Sequence, residues 1–124
     1  MTILLFTAEE LLLTTLEFRF RKKGWRLDVS KNAEQTSALI KKYLPDLVVV
    51  DLQLPDFSGL DVIQTIRREF QRDIPILATA PIEEEGLLLE AVRLGAEDFV
   101  IKPYKPDELI LRIQRQLKAQ KVAG

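Results

Sequence analysis

The sequence contains no histidine and no cysteine, so its chemistry must come from carboxylates, amines and hydroxyls. Imidazole bases, thiolate nucleophiles, disulfides and ordinary zinc or haem sites are excluded. Within that set, one pair of opposite charges stands where a ligand site would form. Asp51 closes the apolar run Leu47-Val48-Val49-Val50, and Lys102 closes Phe99-Val100-Ile101. A carboxylate and an ammonium at the ends of two buried strands form a charged centre in which each lowers the cost of burying the other. The other positions at such ends are Thr7-Ala8-Glu9 after the first apolar run, Gln53 beyond Asp51, and Thr79-Ala80-Pro81.

These residues meet only if the strand ends lie side by side. Five short apolar runs alternate with five segments of helical period, the pattern of a parallel sheet covered on both faces. The strands are predicted at 3–6, 26–29, 47–51, 74–79 and 99–101. The helices are predicted to run to about residue 23 with Gly24 as the stop, then over 33–44, 60–70, 84–94 and 106–120. Thr7-Ala8-Glu9-Glu10 reads as a capping box for the first helix, and Asn32 as the cap of the second. The fold class that follows is α/β: a flavodoxin-like (βα)5 three-layer sandwich with a parallel sheet in the order 2-1-3-4-5. Ligands then sit outside the carboxyl ends of strands 1 and 3.

The chain has 124 residues, 47% of them apolar and 30% charged, which predicts one domain over 1–124. Eighteen basic residues against 19 acidic give a net charge of −1. No global field favours a nucleic-acid backbone or an anionic membrane, and no partner of either kind is expected. The apolar start is too short to span a membrane and lacks the flanks of a leader, so a cytoplasmic location is expected.

Three stretches resemble the bacterial response-regulator receiver domain, the phosphoacceptor module of two-component signalling. Asp46 to Leu60 resembles the phosphorylation strand and loop, with Pro55 four residues and Gly59 eight residues after Asp51. Leu94 to Tyr104 resembles the fifth-strand signature, including Lys102-Pro103, and Lys105-Pro106-Asp107-Glu108-Leu109 resembles the opening of the last helix. The resemblance covers essentially the whole chain. It implies Asp51 as phosphoacceptor, Lys102 as the group that pairs with carboxylate and phosphate, Phe99 as the switch aromatic and Pro103 as a cis-proline candidate. A Phe beside Val100 and Ile101 also reads as ordinary core.

Two departures accompany the matches. Receivers carry an acidic pair after strand 1, where this sequence has Thr7 and Ala8, and a Ser or Thr after strand 4, where it has Ala80. Glu9 and Glu10 are accounted for by the capping box and by the attraction of carboxylates to a helix start. Thr79, one residue early on an alternating strand, is expected to point away from Asp51. With Asp51 and Lys102 cancelling in charge, no cofactor is expected, and magnesium would bind at most weakly through Asp51, Glu9 and the Gln53 backbone.

The implied function is a non-enzymatic, atypical receiver in a phosphorelay, acting through protein contacts; the alternative is a working phosphoacceptor on Asp51. A small flavodoxin-like enzyme or nucleotide binder is weaker, because G-x-G-x-x-G and P-loop motifs are absent. The partner would be a sensor kinase, an effector or a second copy. It would dock on the first helix, where Leu11 and Phe18 leave the core stripe, or on the surface of helix 4, strand 5 and helix 5, where Leu87-Leu88-Leu89 cannot all face inward. No output domain is recognisable, which leaves a stand-alone receiver and a piece of a longer regulator equally open.

Overall fold

The computed structural model describes residues 1–7, 9–53, 59–70 and 74–123, in which strands and helices alternate strictly. Strands β1 (Thr2–Phe6), β2 (Arg26–Ser30), β3 (Leu47–Asp51), β4 (Ile76–Pro81) and β5 (Asp98–Lys102) form one parallel sheet in the order β2-β1-β3-β4-β5. Helices α1 (Glu10–Lys22), α2 (Ala33–Tyr43), α3 (Gly59–Glu69), α4 (Glu85–Leu94) and α5 (Pro106–Ala123) cover the sheet, and a 3-10 turn at Ile82–Glu84 leads into α4. This is the flavodoxin-like architecture and strand order that the apolar pattern predicts.

Right-handed crossovers sort the helices. Winding runs outward from β1 to β2 and then back to β3, so α1 lies on one face and α2, α3 and α4 on the other. Leu16 and Phe20 of α1 join Leu109, Ile110, Ile113 and Leu117 of α5 over Ile3, Leu5, Val49 and Leu77. Ile40, Val62, Ile66 and Leu88 pack over Leu4, Phe6, Val48 and Val50 on the opposite face. Each fully buried aliphatic contributes about 1.5–3 kcal/mol. Because β3 is central and buried on both sides, its run of valines shows no alternation.

Several boundaries correct the sequence reading. Strand β4 is Ile76–Pro81, not 74–79. Pro75 has no amide to give and contributes only its carbonyl, which accepts from the Val48 amide at 3.0 Å. At the far end the ladder continues because Ala80 and Pro81 pair with Ile101 and Lys102, so both lie in the strand and not in a loop after it. The capping box does not form. The N-cap of α1 is Glu9, without a side-chain cap bond, because the Thr7 hydroxyl is turned into the sheet mouth. Asn32 does cap α2, its Oδ1 accepting from the Gln35 amide at 2.8 Å. That helix closes on Leu44 in the left-handed region, with φ of 48°. Ala8 and Pro55 lie outside the described residues.

Candidate functional site

Where β3 leaves the sheet, its valine run gives way to Asp51, which is only 2% exposed. A charge buried to that degree needs partners, and three donors supply them. Asp51 Oδ2 accepts from the Thr7 hydroxyl at 3.1 Å and from Lys102 Nζ at 2.9 Å, and Oδ1 accepts from the Gln53 amide at 3.0 Å. Register explains the convergence. Phe6 pairs with Val50, so Thr7, the next residue along, emerges beside Asp51. Lys102 lies two strands away, about 9.6 Å across the sheet, and its long flexible stem spans β4 to reach the carboxylate. Gly59, the first residue of α3, lets that helix close onto the strand end: a Cβ there would stand 2.7 Å from the Asp51 carbonyl oxygen and 2.9 Å from Leu52 Cα.

Glu9 plays a larger part than the sequence suggests. Its carboxylate turns inward and pairs with Lys102 Nζ at 2.5 Å, while its amide donates to the Thr7 hydroxyl oxygen at 3.2 Å. Lys102 therefore bridges two carboxylates. One ammonium between Asp51 and Glu9 leaves the centre with one net negative charge, not the neutral pair expected. Burial pulls the Lys102 ammonium pKa down, but the hydrogen bonds and charges of Glu9 and Asp51 outweigh that, and the net direction is up.

The β4 side of the site also corrects an expectation. Asp51 pairs directly with Thr79, and residues opposite one another on parallel strands project from the same face. Thr79 therefore shares the face of Asp51, as do Leu77 and Val49 one pleat earlier. The alternation assumed from sequence is correct, but the register decides which of Thr79 and Ala80 lies opposite the aspartate. Ala80 faces the α2–α4 side of the core and presents no hydroxyl. Phe99 is half-buried against that same side, across the sheet from Lys102. The Lys102–Pro103 peptide bond is cis.

Tyr104 was visible in the sequence only as the last residue of the fifth-strand signature. Its side chain packs against the α1/α5 core, and its hydroxyl oxygen is buried with no hydrogen-bond partner among the described residues. Burial first, and then the negative charges of Asp51 and Glu9, push the phenol pKa up, so the group stays neutral. Tyr104 lies beyond the end of β5 and after the cis bond, where strand alternation no longer assigns a face, so no sequence signal placed it here.

Residues 3–114 match the family model described as the response regulator receiver domain. The chain is 29% identical over 117 residues to the probable transcriptional regulatory protein TcrX of Mycobacterium tuberculosis, covering 94% of this chain and 50% of that protein. It is 30% identical over 118 residues to the phosphate regulon transcriptional regulatory protein PhoB of Pseudomonas aeruginosa, covering 94% of this chain and 52% of that protein. The chain thus spans about half the length of these curated relatives. Among solved structures, NtrX from Brucella abortus superposes with a TM-score of 0.89 at 26% identity, over 98% of this chain and 28% of that one. Among the described residues, no helix is long and apolar enough to cross a membrane.

Proposed function

The chain belongs to the response regulator receiver domain family, and on that premise we propose that it is an atypical receiver, signalling through protein contacts with little or no magnesium-dependent phosphorylation of Asp51. The observation that carries this reading is the Thr7 hydroxyl. It stands where the resemblance implies an acidic residue, and it donates to Asp51 Oδ2 at 3.1 Å. The donor set does not fit magnesium. That ion asks for several oxygen ligands, carboxylates among them, in near-ideal octahedral geometry at about 2.0–2.1 Å. Thr7 offers a neutral hydroxyl, both Asp51 oxygens already accept hydrogen bonds, and Glu9 is held by Lys102. Ala80 has no hydroxyl with which to follow a phosphoryl group.

Function then rests on surfaces. Leu89 is 61% exposed, and Val92, Ile101 and Leu111 are exposed with it on α4, β5 and α5; Leu11 and Phe18 are exposed on α1. An effector domain is one candidate partner, since the curated relatives are transcriptional regulators about twice this length. A sensor kinase and a second copy are the others. A phosphoacceptor role for Asp51 is the second reading, favoured by Glu9, whose half-exposed carboxylate could leave Lys102 and add an oxygen ligand.

The test is the amide NMR spectrum of the labelled chain alone, with magnesium, and with magnesium plus beryllofluoride as a phosphoryl mimic on Asp51. The expected result is no shift at Asp51, Gln53, Ala80 or Lys102. A saturable shift of these residues that Asp51→Asn abolishes would establish the second reading instead.

A further inference from the structure

A net charge of −1 conceals a lopsided distribution. Residues 18–44 carry eight of the 18 basic side chains and two of the 19 acidic ones, a surplus of six positive charges against a deficit of seven in the rest of the chain. The fold gathers six of these cations along one edge. Arg21, Lys22 and Lys23 end α1, Lys41 and Lys42 end α2, and Arg26 opens β2, the edge strand that runs between those two helices. All six are exposed.

Two independent observations mark this edge as one that presents positive charge. The first is aromatic seating. Lys22 Nζ stands 4.8 Å from the Phe18 ring centroid and Lys23 Nζ 5.9 Å from that of Trp25, while the Arg26 guanidinium and Lys42 Nζ stand 3.8 and 5.1 Å from that of Tyr43. Such contacts occur about once per 70–80 residues. All four found among the described residues lie along this edge, so the rings hold cations there and are not scattered. The second is the lack of neutralising partners. Arg19, Arg67, Arg93, Lys102 and Arg112 are tied to carboxylates, but Arg21, Lys22, Lys23, Lys41 and Lys42 form no ion pair among the described residues. Arg26 holds Asp28 through Nε, at 3.2 Å. Helix ends attract cations in general, which explains neither Arg26 on a strand nor the aromatic seats.

We propose that the β2 edge docks the phosphate backbone of duplex nucleic acid without regard to sequence. Helices of about 10 Å diameter on the two sides of the sheet set the ends of the band about 20 Å apart, and over that length a duplex passes about six phosphates of each strand. The terminal nitrogens of Arg26, whose guanidinium lies over Tyr43, suit the paired oxygens of a phosphate. Trp25 and Tyr43 are half-buried beneath cations and offer no open ring to a base, so contacts go to phosphates and carry no sequence information. The band crosses from one face of the sheet to the other, a ridge that fits a linear polyanion better than a flat lipid surface. Net charge alone predicts no such partner; folding supplies the site by bringing Lys23 and Lys42 to one edge. Asp51 plays no part, and β5 lies at the opposite edge of the sheet.

The test titrates a dye-labelled DNA duplex of about 20 base pairs with the chain and follows fluorescence anisotropy at several salt concentrations. Saturable binding is expected at about 50 mM salt, weakening about 100-fold by about 200 mM as four or five phosphate contacts release their counterions. Duplexes of unrelated sequence should bind alike, and amide shifts should centre on residues 21–26 and 41–43. Lys23→Gln with Lys42→Gln should weaken binding about tenfold or more and lower the log–log salt slope by about two. Lys105→Gln with Arg115→Gln makes the same change in net charge at exposed positions off the band, and should weaken binding less than about twofold. Equal weakening by the two pairs, or no saturable binding at low salt, would overturn the inference. Tighter binding to phosphatidylserine vesicles or to polyglutamate than to the duplex would also overturn it.

Discussion

Replacing Lys102 by methionine keeps most of the aliphatic stem and removes only the ammonium that Asp51 and Glu9 share. Asp51 is 2% exposed and would lose the 2.9 Å partner of its Oδ2 atom. Removing one member of a buried ion pair costs about 3–5 kcal/mol, because the remaining charge is stranded. The stranding here is incomplete, since the Thr7 hydroxyl and the Gln53 amide still donate to Asp51, at 3.1 and 3.0 Å. Glu9, whose side chain is half exposed, returns to water at little cost. The net expectation is a loss of about 2–3 kcal/mol. Adding Asp51→Asn removes the stranded charge, so the double variant should return to within about 1 kcal/mol of the parent. Urea unfolding followed by the fluorescence of Trp25, half-buried edge-on to Phe20 at 5.3 Å, measures both quantities. A single-variant cost below about 0.5 kcal/mol would mean that the pair behaves as a surface ion pair. Additive single and double costs would refute the coupling on which the site description rests.

Thr7→Val preserves shape but deletes the donor to Asp51 and the acceptor of the Glu9 amide, and should cost about 1–3 kcal/mol in thermal or urea unfolding; a variant as stable as the parent would contradict the assigned role of Thr7. Leu44→Gly should stabilise by about 0.5–1 kcal/mol, because a left-handed conformation strains leucine and not glycine. Its φ is 48° and its side chain is 59% exposed, so little burial is lost, and the urea midpoint checks the sign. Stability should fall steeply in alkali. The folded state raises the Lys102 pKa from 10.5 and the Tyr104 pKa from 10.0, so it holds both protons more tightly than the unfolded chain. Their contribution is complete below those ordinary values and is lost as pH rises through the folded ones. Urea midpoints from about pH 8 to 11 should therefore be flat and then drop, less steeply in Tyr104→Phe; a profile without the drop would contradict both shifts.

Much of this was legible from residue order because it depends on local pattern. The Leu47–Val50 run ending in Asp51, the Asn32 cap and the apolar stripe of α5 each follow from periodicity within a few residues. The alternation of strands and helices then leaves few ways to wind a sheet, so the strand order and the meeting of Asp51 with Lys102 could be expected. Leu11 and Phe18 outside the core, and Leu88 buried beside exposed Leu89, come from the same helical geometry. Three features of the site depended on contacts between residues distant in sequence. Whether Thr79 or Ala80 lies opposite Asp51 is decided by the pairing of β3 with β4, since a slip of one residue exchanges the two faces of a strand. Glu9 suits a helix start equally well facing water or facing inward, and only the arrival of Lys102 from 93 positions away draws it into the site. The buried hydroxyl of Tyr104 has no sequence signature, because its isolation is a matter of which groups fail to reach it. Residue types and spacing thus determined the frame and the central pair. Long-range register and charge decided which side chains complete the site, because those forces act only once the sheet has brought the strand ends together.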